Sequence, residues 1–153
     1  ASIGEFLKEA TDVDLVLAGK AVIPVPDHPR IRHLGYVSEE EKVAALRQCR
    51  LLVMPSPYES LSIVTLEAWK LGVPGLANAR CRGLMGQCLR SDGGLFYHGD
   101  AEFAEGLKIL LGQPDVGRRL GEQGRAYVDD EYSWERVEAK VEDLLARTGG
   151  EAA

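Results

Sequence analysis

Only three cysteines and three histidines occur in the 153 residues, and neither group is arranged as a site. Cys49, Cys81 and Cys88 are odd in number and lack zinc-ligand spacing, which leaves no paired disulfide framework and fits free thiols in a reducing compartment. Cys49 ends a helical pattern and reads as core, while Cys81 and Cys88 bracket a loop or short helix. His28, His33 and His98 are scattered and read as surface or edge residues, so no metal is expected. Long apolar runs are also missing. No stretch reaches eighteen residues and no signal-peptide or terminal lipidation pattern is present, so the expectation is a soluble, cytoplasmic domain. Positive charge is in deficit: the net charge of −6 argues against nucleic acid as an unassisted partner. Repeats and low-complexity tracts are absent too. What remains is one domain of ordinary size, long enough to bury a real core.

What is present is an alternation of short apolar runs and helical patterns. Ile3, Phe6, Leu7 and Ala10 lie on one helical face, Val13 to Ala18 is a strand closed by Gly19, and Ile31 to Leu34 is a strand ending at Gly35. The segment between them, 22–30, holds Pro24, Pro26 and Pro29 and is a loop. Ser38 and Glu41 form a capping box for a helix whose inward residues include Val43, Ala44 and Leu46. Leu51 to Met54 is a buried strand, followed by a helix that stops at Gly72 and Pro74. Gly75 to Asn78 is the next strand, with a glycine where a bulky apolar residue would normally fill the core, a loss expected to cost about 1–3 kcal/mol at a buried site. Arg80, Arg82 and Arg90 flank a loop containing Gly83 and Gly86. Leu95 to Tyr97 is a strand, Asp100 caps a helix to about Leu111, and Pro114 begins another. Ser133 caps the last helix, where Trp134, Val137, Val141, Leu144 and Leu145 recur at helical spacing and Trp134 reads as a packing anchor. Residues 1–147 make the domain and 148–153 a disordered tail. Strand and helix in alternation predict a layered α/β domain with a mostly parallel sheet.

The chemistry concentrates between Pro55 and Trp69. A strand, turn and helix here aim a helix N-terminus at the carboxyl edge of a parallel sheet, where free N–H groups and the helix dipole favour an anion such as phosphate. Glu59 precedes the helix and Glu67 lies about two turns inside it. Ionised carboxylates only accept hydrogen bonds, and vicinal hydroxyls are well suited to donate them, so phosphate plus hydroxyls points to a sugar nucleotide. The plainer alternative is that Glu59 serves the helix dipole and Glu67 is solvated.

The run Pro55-Ser-Pro-Tyr-Glu-Ser60, then Leu66-Glu-Ala-Trp69 and Leu71-Gly-Val-Pro74, resembles the E-x7-E region of retaining glycosyltransferases of family 4, which have the two-domain GT-B fold. The resemblance extends through Val13 to Gly19, Ile31 to Val37, Asn78 to Tyr97 and Tyr132-Ser133-Trp134, nearly the whole chain. It implies the C-terminal, nucleotide-sugar-binding domain: a Rossmann-like parallel sheet with helices on both faces. It further implies a nucleotide-diphosphate sugar as donor, no metal and no other cofactor. Glu59 becomes the catalytic residue, holding donor-sugar hydroxyls, and Glu67 accepts from the ribose. Ser60, Ser62, Ile63 and Val64 lie along the donor, with the last three N–H groups on the distal phosphate, and the base lies near Tyr36 and Val37. Tyr36 has a second reading, as a lid on the core. Arg80 and Arg82 are candidate phosphate clamps, although exposed arginines on a loop are commoner than ligands. Lys20 reads as a solvated amine.

The resemblance also exposes an omission. In the family this domain opens with a strand and an Arg and Lys that neutralise the leaving diphosphate, and an N-terminal domain binds the acceptor; none of these has a counterpart here. The missing strand would be the central one, between those at Val13 and Leu51, and its absence would leave unpaired backbone groups on both neighbours. A closed gap is therefore expected: by direct pairing of those strands, by a strand from another chain, or because the residues are an excerpt of a longer polypeptide. The leading functional expectation is donor binding for retaining hexosyl transfer, in a fragment inactive on its own, with peripheral membrane attachment open to the full-length protein. The alternative is a non-catalytic α/β module that binds a nucleotide or a protein.

Overall fold

Among the described residues five short strands, all parallel, divide into two sheets rather than one. In the computed structural model, which describes residues 3–149, the order is α1 (Ile3–Glu9), β1 (Leu15–Ala18), β2 (Ile31–Gly35), α2 (Glu39–Gln48), β3 (Leu52–Met54) and α3 (Ile63–Lys70). Then come β4 (Gly75–Asn78), α4 (Arg82–Ser91), β5 (Gly94–Tyr97), α5 (Asp100–Gly112), α6 (Pro114–Glu131) and α7 (Trp134–Gly149). β1 pairs with β2, and β3-β4-β5 form the second sheet.

Side chains alternate across the larger sheet with the period of two that strands require. Leu76 and Tyr97 join Phe6, Phe103, Leu107 and Leu110 on the face covered by α1 and α5. Ala77 and, less buried, Met54 and Phe96 join Leu66, Trp69, Leu84 and Cys88 on the face covered by α3 and α4. Helices thus cover both faces of a parallel layer, the expected α/β architecture.

Trp69, fully buried, organises the second face. A Cβ on Gly93 or Gly124 would come within 2.7 and 2.6 Å of its indole, and one on Gly75 within 3.6 Å; Tyr127 meets it edge-on at 6.1 Å. The space that Gly75 leaves is therefore taken by the indole. The loss of packing expected at Gly75 is met by the indole of Trp69, six residues earlier in α3, which lies in van der Waals reach of the Cβ position. α3 then ends at Gly72, whose φ of 76° lets the Val73 N–H turn back to the Ala68 carbonyl at 2.9 Å.

Several local expectations change. Residues 82–91, where the sequence leaves loop and short helix both open, are a helix despite Gly83 and Gly86. Gly99, not Asp100, is the N-cap of α5. Ser133 does cap α7, its hydroxyl accepting from the Arg136 N–H at 3.3 Å, but Trp134 is 77% exposed and anchors nothing. α7 runs through Gly149, two residues into the expected tail; residues 150–153 of that tail lie outside the described residues.

The largest departure is the gap. β1 and β3 are not paired with each other, and a cavity of about 920 Å³ lies between them. Direct pairing, one of the expected closures, does not occur. No strand among the described residues fills the space. One end of the gap is fastened: the Arg50 guanidinium, entering β3, bonds Asp12, entering β1, at 2.9 Å and also donates to the Leu111 carbonyl of α5.

Candidate functional site

The carboxyl ends of β3 and β4 both run into helix starts, and Asn78 ties the two exits together. Its Nδ2 donates to the Pro55 carbonyl at 2.9 Å and its Oδ1 accepts from the Arg80 N–H at 3.0 Å. Behind them the Cys81 thiol donates to the Glu59 carbonyl at 3.3 Å. A Cβ on Gly83 would lie 3.0 Å from that carbonyl oxygen and 3.1 Å from that of Ser60, so glycine is what allows α4 to seat itself under the Glu59–Ser60 backbone. The sequence leaves Gly83 in a loop or short helix and does not announce this support; its one local sign is a glycine at the second position of a helix that follows a strand by three residues.

At the start of α3, Ser62 is the extended N-cap but is buried, and its hydroxyl accepts from Thr65 Oγ1 at 2.8 Å instead of capping the helix. No described residue accepts a hydrogen bond from the N–H groups of Ser62, Ile63 or Val64, and the first turn carries no acidic side chain. The positive end of α3 is left without an internal counter-charge. Glu59 is half-buried, lies outside that first turn, and its carboxylate has no hydrogen-bond or ion-pair partner among the described residues.

Glu67 is differently placed. Its Oε1 takes the Lys42 ammonium at 2.8 Å, and that ammonium also holds Glu39 Oε2 at 2.6 Å. Glu67 Oε2 is buried with no partner. The two carboxylates, Glu39 first and Glu67 second, raise the Lys42 pKa above its usual value and keep it charged. Glu67 is thus neither solvated nor free, and Lys42, twenty-five positions away, is the site residue that no local pattern announced.

Tyr36 is 84% exposed, which removes the core-lid reading; Val37 beside it is half-buried. Ser60, Arg80 and Arg82 are exposed on the turns around the two helix starts. Arg90 is elsewhere, at the far end of α4, where its Nε donates to the Tyr127 hydroxyl at 3.3 Å. Burial pushes the Cys88 thiol up to about 11 and raises that of Cys49, so neither supplies a thiolate at neutral pH. Among the described residues no three His, Cys, Asp or Glu side chains converge.

A family model described as "Glycosyl transferases group 1" matches residues 28–127, more than half of the chain. The MMP alpha-(1->4)-mannosyltransferase of Mycolicibacterium hassiacum is 31% identical over 150 residues, which cover 88% of this chain and 36% of that protein. The solved structure of sucrose-phosphate synthase from Thermosynechococcus elongatus superposes with a TM-score of 0.69 at 25% identity, over 80% of this chain and 31% of that one. WaaG, a glycosyltransferase involved in lipopolysaccharide biosynthesis, shares the fold with a TM-score of 0.67 at 18% identity, over 84% of this chain and 39% of its own. The chain spans well under half the length of each of these GT-B proteins.

Proposed function

The chain belongs to the group 1 glycosyl transferases, and from that premise we propose that it is the C-terminal, donor-binding domain of a retaining family 4 enzyme. The donor in this reading is a nucleotide-diphosphate sugar. Its distal phosphate rests on the N–H groups of Ser62, Ile63 and Val64, with Ser60, Arg80 and Arg82 around it. The base lies against Tyr36 and Val37. Glu67 accepts a ribose hydroxyl, while Lys42 holds its Oε1 and orients the carboxylate. Glu59, the catalytic residue, takes the hexose hydroxyls on a carboxylate that no other group occupies.

The hexosyl group moves from the diphosphate to an acceptor hydroxyl. Fixed N–H dipoles and arginine charge stabilise the departing diphosphate, and no metal is required. The observation that carries this reading is the uncapped start of α3 with one unpaired carboxylate just before it and one half-paired carboxylate inside it. The acceptor wall belongs to an N-terminal domain or another chain, so this domain alone turns over little or no donor. No helix among the described residues is long and apolar enough to cross a membrane.

Calorimetric titration with UDP, GDP and ADP sugars tests the assignment. One nucleotide series is expected to bind, with Glu67→Ala weakening it about tenfold, the loss of roughly one charged hydrogen bond. Absence of binding by the unaltered domain would replace this reading with a non-catalytic module.

A further inference from the structure

Ser62 has what a helix cap requires and does not cap. It is a serine at the N-cap of α3 with an extended backbone, φ −80° and ψ 95°, the residue type and conformation whose hydroxyl ordinarily accepts from the second or third N–H of the helix. Ser38 does this at the head of α2, accepting from the Glu41 N–H at 3.2 Å. At α3 the third N–H, that of Thr65, goes to the Ser62 carbonyl at 3.1 Å, and the Ser62 hydroxyl accepts from Thr65 Oγ1 instead. Thr65 departs from habit as well. A helical threonine usually turns its hydroxyl back to a carbonyl three or four residues earlier, and here it goes to a side chain. Both residues are enclosed, Ser62 at 3% exposure and Thr65 at 1%. The pair holds two hydroxyl protons and spends one between its members. The Ser62 proton has no acceptor among the described residues, and a buried donor left unpaired is costly. It lies at the same helix end as the open N–H groups of Ile63 and Val64.

We propose that Thr65 is a positioning residue: it draws the Ser62 hydroxyl away from the cap, keeps the Ile63 and Val64 N–H groups open, and leaves the Ser62 proton to be donated to the same phosphate of the nucleotide sugar. This rests on the donor reading above and extends it from backbone N–H groups to a side-chain hydroxyl and the residue that holds it. Two N–H groups and one O–H, all donors, call for a group that only accepts, and a phosphate oxygen accepts from all three with the added strength of its charge. Capping and ligand binding compete for the same N–H groups. The Thr65 hydroxyl decides that competition for the ligand, so the empty domain forgoes the stability that a capped α3 would have.

Two substitutions separate the hydroxyl of Thr65 from its bulk. Thr65→Val removes the hydroxyl and keeps the shape, whereas Thr65→Ser keeps the hydroxyl and removes a buried methyl. Calorimetric titration with UDP, GDP and ADP, thermal unfolding and amide exchange are compared for both and for the unaltered domain. In Thr65→Val the Ser62 hydroxyl is expected to turn to the Val64 N–H. Exchange at Val64 then slows, Tm holds or rises by up to about 4 °C, and the nucleotide that the unaltered domain takes binds about tenfold more weakly. Thr65→Ser is expected to bind as the unaltered domain does, although its Tm falls by a few degrees. Affinity would follow the hydroxyl and stability the methyl, a split that a merely structural threonine does not produce. Unchanged affinity or unslowed Val64 exchange in Thr65→Val, or equal weakening by both substitutions, would overturn the proposal and leave the donor reading standing. Failure of the unaltered domain to bind any of the three nucleotides would overturn the donor reading, and the ligand named here with it.

Discussion

β4 is Gly-Leu-Ala-Asn and β1 is Leu-Val-Leu-Ala, so the second is the more apolar strand. Yet β4 is buried at its first three positions, while β1 alternates between half-buried and exposed. Burial here follows neighbours and not residue type. β4 lies between two strands with helices above and below; β1 has one neighbour and an open gap. The larger sheet is also stiffened by a single tryptophan seated among three glycines, and the β1–β2 pair has no such centre.

That contrast can be broken most directly at Trp69. Trp69→Ala is expected to cost about 3–5 kcal/mol in urea unfolding; a loss below about 1 kcal/mol would mean that the glycine nest does not organise the larger sheet. Next in size is a matched pair of truncations. Leu76→Ala in β4 should cost about 2–5 kcal/mol, and Leu17→Ala in β1 about 1 kcal/mol, because only the first side chain is fully enclosed. Equal losses would remove the distinction between the two regions.

The smallest effect concerns α2, which lines that gap. Ser38→Ala should cost about 1 kcal/mol. The Ser38 N–H, and then its hydroxyl, hold the Glu41 carboxyl below the ordinary glutamate range. The unfolded chain then binds the proton more readily, so this contribution is fully present above roughly pH 4.3 and is lost as pH falls through the lower folded value. Glu41→Gln keeps the capping geometry without the charge. Unfolding of the two proteins compared at pH 6 and pH 3 should show the larger decline in the unaltered chain.

The sequence made much of this fold readable because its strands are short apolar runs closed by glycines and its α2 cap is a local, reciprocal pair. The candidate site was readable to the same depth: a strand, a turn and a helix start imply free N–H groups whatever surrounds them. What escaped depends on distance in the chain. Gly83 and Gly86 lower helix propensity, so the sequence leaves loop and short helix both open over 82–91, although Gly83 serves the approach of α4 to Glu59. Gly75 looked like a hole because Trp69 had to be placed before the space could be seen to be full. The Lys42–Glu67 pair joins two helices. Trp134 shows the converse limit: apolar periodicity marks a face without saying that anything covers it.

The Arg50 clasp has a consequence for how the domain loses its structure. Residues 3–50 and 51–149 share no backbone-to-backbone hydrogen bond; side chains join them, through α1 against α5 and α2 against α3, the buried contacts of Phe6, Ala10 and Leu46, the Lys42–Glu67 and Lys108–Glu9 ion pairs and this guanidinium. Such a seam transmits cooperativity poorly. The halves can therefore melt at separate temperatures, with a calorimetric enthalpy exceeding the van't Hoff value.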